Sequence, residues 1–423
     1  MAVALIVVAV LVSGGVAWWR VRQPGVSDQA RKQAAWVELA DEVQALRRRG
    51  RQAEALRAAK ASVSLAEEAY GTRHPAMAEA LNELAQILVA DSRFDGVEAM
   101  YARVIEIQSN LTGPESPEVA STVNNLAHAW ERQGDLARAT EGYRRVLNTY
   151  KKTVGDEDAL TARALNNLAC ALDARDEHES AEPLHRQSLA LRERILGPGH
   201  LDTAESLGNL AANAHDRGDL ESAETLQRRA LAIRERVAGP SHPLTAASLT
   251  SLATILRQRE QLTEAELAAL AGLAIRQEVF GFRNPTTATS IEALASIRRD
   301  LGDAASAREL LETAVAARTR SGSANHPRTA DAIELLADLP PGDPAQPAAA
   351  ARQLTPLLER AVQIRATALG KDHPKTIAIS RRLADAWRTA GDEQRAQAAE
   401  RLIERAGPDS APALTTPDPK PSG

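Results

Sequence analysis

Histidine, cysteine and clustered carboxylates are the side chains that could do chemistry in this sequence, and their spacing argues against it. His178 and His185 lie seven residues apart beside Glu177, Glu179 and Glu182. A helical zinc site would want two ligands four apart, or ligands converging from elsewhere. The pair therefore reads as solvated helix surface. His128 and His215 occupy non-equivalent places and form no pair. Cys170 is the only cysteine, which excludes an internal disulfide and any multi-cysteine zinc site. A structural role is expected of it, because cysteine is among the most buried residue types. No GxxxxGKS or GxxxxGKT run is present to cradle a phosphate. These residues predict no enzyme, no catalytic group, no metal and no cofactor. With 56 acidic and 51 basic residues the net charge is −5, so nothing draws the chain as a whole toward nucleic acid. No basic surface interleaved with base-stacking aromatics is visible either.

The elements that carry these residues repeat. Glycine recurs at Gly71, Gly113, Gly155, Gly197, Gly239 and Gly281, each step being 42 residues, with neighbouring text such as LGPGHLDTA, AGPSHPLTA and FGFRNPTTA. Three residues after the glycine, and again further on, stand His74, Ser116, Asp158, His200, His242, Asn284, His326 and His373, mostly followed by proline. Ser, Asp and Asn are favoured N-caps and proline suits the first helical position. The histidines of this column are therefore expected to cap helices through a neutral ring nitrogen. A first helix follows, with apolar residues at i, i+3, i+4 and i+7, as in Leu81, Leu84, Ala85, Leu88 and Leu165, Leu168, Ala169, Leu172. A Gly-Asp turn often closes it, as at Gly134-Asp135 and Gly218-Asp219. A second helix carries a fixed alanine at Ala139, Ala181, Ala223, Ala265 and Ala307, which argues for close helix–helix approach.

NNLA at Asn124–Ala127 and Asn166–Ala169, the polar turn, and ALAIRERVAGPSHP at Ala230–Pro243 resemble the 42-residue tetratricopeptide repeats of kinesin light chain. The resemblance implies an all-α, right-handed superhelical solenoid of antiparallel helical hairpins, with the first helices lining a concave groove that binds other proteins. On that reading the columns beside the Leu-Ala pair are the candidate partner-binding residues: Asn82, Asn124 and Asn166, then Asn125, Asn167 and Asn209. An asparagine offers both donor and acceptor, so a ladder of them could pair with the backbone of an extended peptide. The equal alternative is that they bridge neighbouring helices. Four residues beyond the alanine, the column Val89, Glu131, Asp173, His215, Arg257, Arg299 and Arg388 turns from acidic to basic. If it faces the groove, Arg257 and Arg299 anchor an acidic segment; otherwise it is a solvated face of unpatterned charge.

The layout expected is an N-terminal piece over 1–26, about nine hairpins over 27–406 with a Pro-rich loop at 339–349, and a disordered Pro-rich tail over 407–423. Ala2 to Trp19 carries no charge and as a helix would span about 27 Å, near the lower limit for a bilayer. Trp18 and Trp19 close that stretch where an interfacial belt would be, and Arg20 and Arg22 follow at once. The sequence thus predicts a single-pass membrane helix with the repeats on the cytoplasmic side. The alternative is export by a signal cleaved near Gly15-Val16-Ala17. The function expected is a membrane-anchored scaffold or adaptor that holds a partner's peptide or helical segment; the rival is a structural protein that self-associates or spaces membrane complexes.

Overall fold

The computed structural model of the protein describes residues 27–320, 326–340 and 345–404, and among these every regular element is an α-helix. The chain divides into two compact units after Arg175. The first holds α1 (Asp28–Arg48), α2 (Gln52–Tyr70), α3 (Pro75–Ala90), α4 (Val97–Thr112), α5 (Pro117–Gln133), α6 (Leu136–Thr153) and α7 (Ala159–Asp173). The second holds α8 (His178–Leu196), α9 (Leu201–Asp216), α10 (Leu220–Val237), α11 (Pro243–Gln258), α12 (Leu262–Phe280), α13 (Pro285–Asp300), α14 (Ala304–Arg320), α15 (Pro327–Ala337), α16 (Pro347–Leu369), α17 (Pro374–Thr389) and α18 (Glu393–Glu404).

Local chemistry sets the helix starts. Each of the eight residues in the capping column is an N-cap whose side chain accepts a backbone N–H. For the histidines the acceptor is Nδ1, two residues before its donor, at 3.2 Å from the Ala76 nitrogen and 3.1 Å from that of Leu244. The geometry requires Nδ1 to be unprotonated. The period glycines have positive φ, as in Gly239 at 105°, where a side chain would be strained. A threonine six residues after the glycine ties the turn down: Thr203 donates to the Gly197 carbonyl at 2.9 Å and Thr245 to that of Gly239 at 2.7 Å.

Packing then follows the small residues. Ala139, Ala181, Ala223, Ala265 and Ala307 are fully buried, so paired helices meet where only a methyl group stands between them. In the first unit Leu84, Leu88, Val97, Tyr101 and Leu126 share one apolar cluster. In the second, Leu252, Leu256, Leu273, Ile291 and Leu294 share another. Each such side chain contributes about 1.5–3 kcal/mol when withdrawn from water. The first helices of successive hairpins touch as well, α3 with α5, α9 with α11 and α11 with α13.

Two sequence expectations need correction. Among the described residues no helix is long and apolar enough to cross a membrane, so the single-pass placement does not stand. The segment over 1–26 that carried it lies outside the described residues, as do the tail over 407–423 and residues 341–344 of the Pro-rich loop. His185 is not solvated surface but fully buried, because it falls on the stripe of α8 formed by Ala181, Ser188, Leu189 and Arg192.

Candidate partner-binding surface

The asparagine rows stand on the first helices of the hairpins. In the first unit Asn82 lies on α3, Asn124 and Asn125 on α5, and Asn166 and Asn167 on α7; all are half-buried except Asn166, which is buried. They link diagonally from helix to helix. Asn125 Nδ2 donates to Asn82 Oδ1 at 3.1 Å, and Asn167 Nδ2 donates to Asn124 Oδ1 at 2.8 Å. Each amide in these pairs keeps hydrogen-bonding capacity beyond the one bond. Asn166 Nδ2 lies 3.8 Å from Cys170 Sγ, one turn on in the same helix. Asn209 is half-buried on α9 in the second unit.

The charged column is largely satisfied within the chain. Arg257 Nη1 meets Asp300 Oδ2 at 2.6 Å, and Arg299 Nε meets Asp300 Oδ1 at 3.0 Å. Partial burial works to raise the Asp300 pKa, but the two guanidinium groups outweigh it and hold the carboxyl below its ordinary range. The two arginines singled out from sequence are thus brought together on one shared carboxylate. Glu131 accepts from Tyr143 Oη at 2.8 Å and lies 3.7 Å from His128 Nδ1. Its burial opposes ionisation, yet these partners with Arg132 leave its pKa lowered. Arg388 pairs with Asp385 at 2.8 Å and with Glu400.

Sequence reasoning missed a second column, on the second helices. Arg192, Arg234, Arg276, Arg318 and Arg365 occupy equivalent places on α8, α10, α12, α14 and α16, and all but the partly buried Arg234 are buried. Arg192 Nη1 reaches the Asp202 carbonyl at 2.7 Å, Glu205 Oε2 at 2.9 Å and Ser206 Oγ at 3.1 Å. Arg318 grips Glu292 with Nε at 2.6 Å and Nη2 at 2.9 Å. Arg365 Nε meets Glu334 at 2.9 Å and its Nη2 meets Asp331. Arg234 Nη1 donates to Ser248 Oγ at 2.6 Å, and Arg276 Nη1 to the Thr286 carbonyl at 3.1 Å and Ser290 Oγ at 2.8 Å. In the first unit the same place holds Ala66, Gln108 and Tyr150. The signal was present: arginine stands five residues before Gly197, Gly239, Gly281 and Gly370. Among the described residues no group of three or more His, Cys, Asp or Glu is placed to hold a metal ion.

The family of repeat proteins to which this architecture belongs is the tetratricopeptide repeat. Its family model matches residues 43–110, 118–194, 176–236 and 202–278, more than half of the chain, and the chain is a member of that family. A structure of kinesin light chain TPR-like repeats from Podosopora anserina is 24% identical, covering 49% of this chain and 98% of that one with a TM-score of 0.42. The apo form of the quorum sensor NprR from B. thuringiensis is 13% identical over 87% of this chain and 97% of its own, with a TM-score of 0.54. A Rap protein complexed with competence and sporulation factor is 14% identical over 88% and 97%, also at 0.54. These likenesses are of fold. A search of curated proteins finds no match.

Proposed function

We propose that this chain is a protein-binding scaffold that holds a segment of a partner along the first helices of its hairpins. The observation that carries the reading is the row of half-buried asparagines on the first helices: Asn82, Asn124, Asn125 and Asn167 keep bonding capacity beyond the bridges Asn82–Asn125 and Asn124–Asn167, which by themselves are the helix-bridging role expected as the rival. Asparagine is a mediocre helix former, and here it recurs mid-helix, half-buried, with bonding capacity left over. Amides held in this way suit the backbone of an extended peptide, which offers alternating donors and acceptors. That a Rap protein of similar fold is found with competence and sporulation factor supports a ligand carried by the array. Tetratricopeptide scaffolds are generally not enzymes, which agrees with the lack of any convergent catalytic group in the sequence reading.

Affinity capture from cells tests this, using the full chain as bait beside a variant carrying Asn82→Ala, Asn124→Ala and Asn167→Ala. Partners held by the wild type and lost by a variant of unchanged helicity support the asparagine rows. Identical captured proteins would overturn them. One observation favours the structural reading instead: Val279, Phe280 and Phe282 are exposed together at the end of α12 and in the turn after it. If both baits recover only copies of this chain, and Phe282→Ser abolishes that recovery, the protein is an assembly component.

A further inference from the structure

The outward column of the second helices changes sign at α12. The places equivalent to Leu270 hold Arg186 on α8 and Arg228 on α10 before it, then Glu312 on α14 and Glu359 on α16 after it. These four charged residues are exposed. Leu270 stands between them as the apolar member of the series and is 41% exposed.

It belongs to a row. Leu267, 65% exposed, lies one turn before it, and Ala271 and Ala274, also exposed, stand four and seven residues after Leu267. At the places of Leu267 and Ala271 the neighbouring helices carry Thr225 and Arg229 on α10, and Glu309 and Thr313 on α14. Apolar residues at i, i+3, i+4 and i+7 form the face of a helix that is stabilised by being covered. On α12 that face is open to solvent.

The two flanks of the row are fixed in place and opposite in charge. Arg228 Nη2 meets Glu264 of α12 at 2.6 Å, while Ala314 and Ala317 of α14 share an apolar cluster with Ala268, Ala269 and Leu273 of α12. Arg228 uses Nε and Nη2 for Glu224 and Glu264, which leaves Nη1 for another acceptor. Among the described residues Glu312 and Glu359 make no ion pair.

We infer that a second copy of this chain docks on this face, α12 against α12, about a two-fold axis running along the helix. Residues at equivalent places stand at the same height on their helices, and rotation about that axis exchanges the two flanks. Leu267 and Leu270 then meet their own counterparts, and Arg228 of each copy meets Glu312 of the other. A two-fold axis across the helix would instead set Arg228 on Arg228 and Glu312 on Glu312. A surface basic on one flank and acidic on the other is complementary to itself, and in one direction only. The seam of one helix is smaller than the roughly 1,200 Å² of a standard interface, so the dimer forms at micromolar concentration. The inference goes beyond the partner-binding reading and does not rest on it, because the asparagine rows stand on the first helices.

Sedimentation velocity of the full chain over a micromolar concentration series tests it. The wild type is expected to pass from monomer to dimer. Leu270→Arg gives α12 the residue that α10 carries at that place, so the fold is retained. It should weaken the dimer by roughly a hundredfold, or about tenfold for each copy of the substitution. Arg228→Glu and Glu312→Arg, each alone, set like charges face to face and should weaken it by roughly tenfold. Mixed in equal amounts, these two variants should recover a dimer of wild-type strength, because each contact across the axis again joins opposite charges. A wild type that stays monomeric leaves the face to a different protein or to a segment of this chain, and overturns the second copy. A dimer that Leu270→Arg does not weaken overturns the seam. A mixture no tighter than its components overturns the direction of the axis. Asn82→Ala, Asn124→Ala and Asn167→Ala should leave the dimer unchanged, so the seam and the partner-binding reading fail by different measurements.

Discussion

The column on the second helices is filled differently in the two units, and the difference separates packing from charge. In the first unit the column is Ala66, Gln108 and Tyr150, all uncharged. Gln108 there accepts from Thr122 Oγ1 at 2.7 Å, a neutral link across neighbouring helices. In the second unit every member is an arginine, and its partner has to be a carboxylate or a place left open. The same repeat can therefore be closed by neutral packing or by an internal ion pair. Where the second solution lacks its acid, the fold carries unspent charge.

The largest expected effect tests whether the second solution really depends on its carboxylate. Glu292→Ala should destabilise the protein by about 3 kcal/mol in chemical denaturation, because it strands the buried Arg318. A cost no larger than that of a surface mutation would erase the distinction drawn between the columns. Next, and of opposite sign, Arg276→Met should leave stability unchanged or raise it by about 1–2 kcal/mol, since it removes a buried charge that has no acid to lose. If Arg276→Met destabilises as much as Glu292→Ala, a counter-charge acts on Arg276 that the geometry does not contain.

Capping should be indifferent to the unit. His74→Ala in the first and His242→Ala in the second should each cost about 1 kcal/mol, and replacement by Asn should restore most of it. Unequal costs measured by thermal melts would mean that the units differ in more than the arginine column. The smallest effect is a pair of titrations of opposite sense within the second unit. Burial raises the Glu292 pKa above its ordinary 4.5 despite Arg318, whereas Arg257 and Arg299 hold Asp300 below 3.8 despite burial. For Glu292 the folded state holds its proton longer than the unfolded chain, so its contribution to stability declines as pH rises from about 4.5 through the raised value. For Asp300 the contribution is present above 3.8 and is lost as pH falls through the lowered value. Carboxyl carbon NMR titration should find Glu292 protonating first; the reverse order would contradict both environments.

Much of the hairpin plan was legible before any coordinates. His242 could be read as a cap because the bond it makes spans two residues, and the proline after it marks the same boundary. Ala223 could be read as a close-approach point because its place is held by alanine in repeat after repeat. His185 was misread, because seven-residue spacing says nothing about which side of α8 meets a neighbour; the structure puts it on the buried stripe. Arg257 and Arg299 were rightly noticed as cations, but their shared acid, Asp300, lies outside the column in which they were found.

What the sequence determined by itself is the local plan: the 42-residue repeat, the helix boundaries, the caps and the glycine turns. Each depends on backbone geometry and on bonds between residues close in the chain, so each is written where it acts. Only the tertiary structure decided which charges are spent. Arg234, Arg276 and Arg318 occupy the same place in their repeats, and what distinguishes them is the side chain brought across from another helix: Glu292 for the last, Gly208 and Thr250 for the others. Neutralising a buried charge takes a partner within bonding distance, and that distance exists only once the helices have packed.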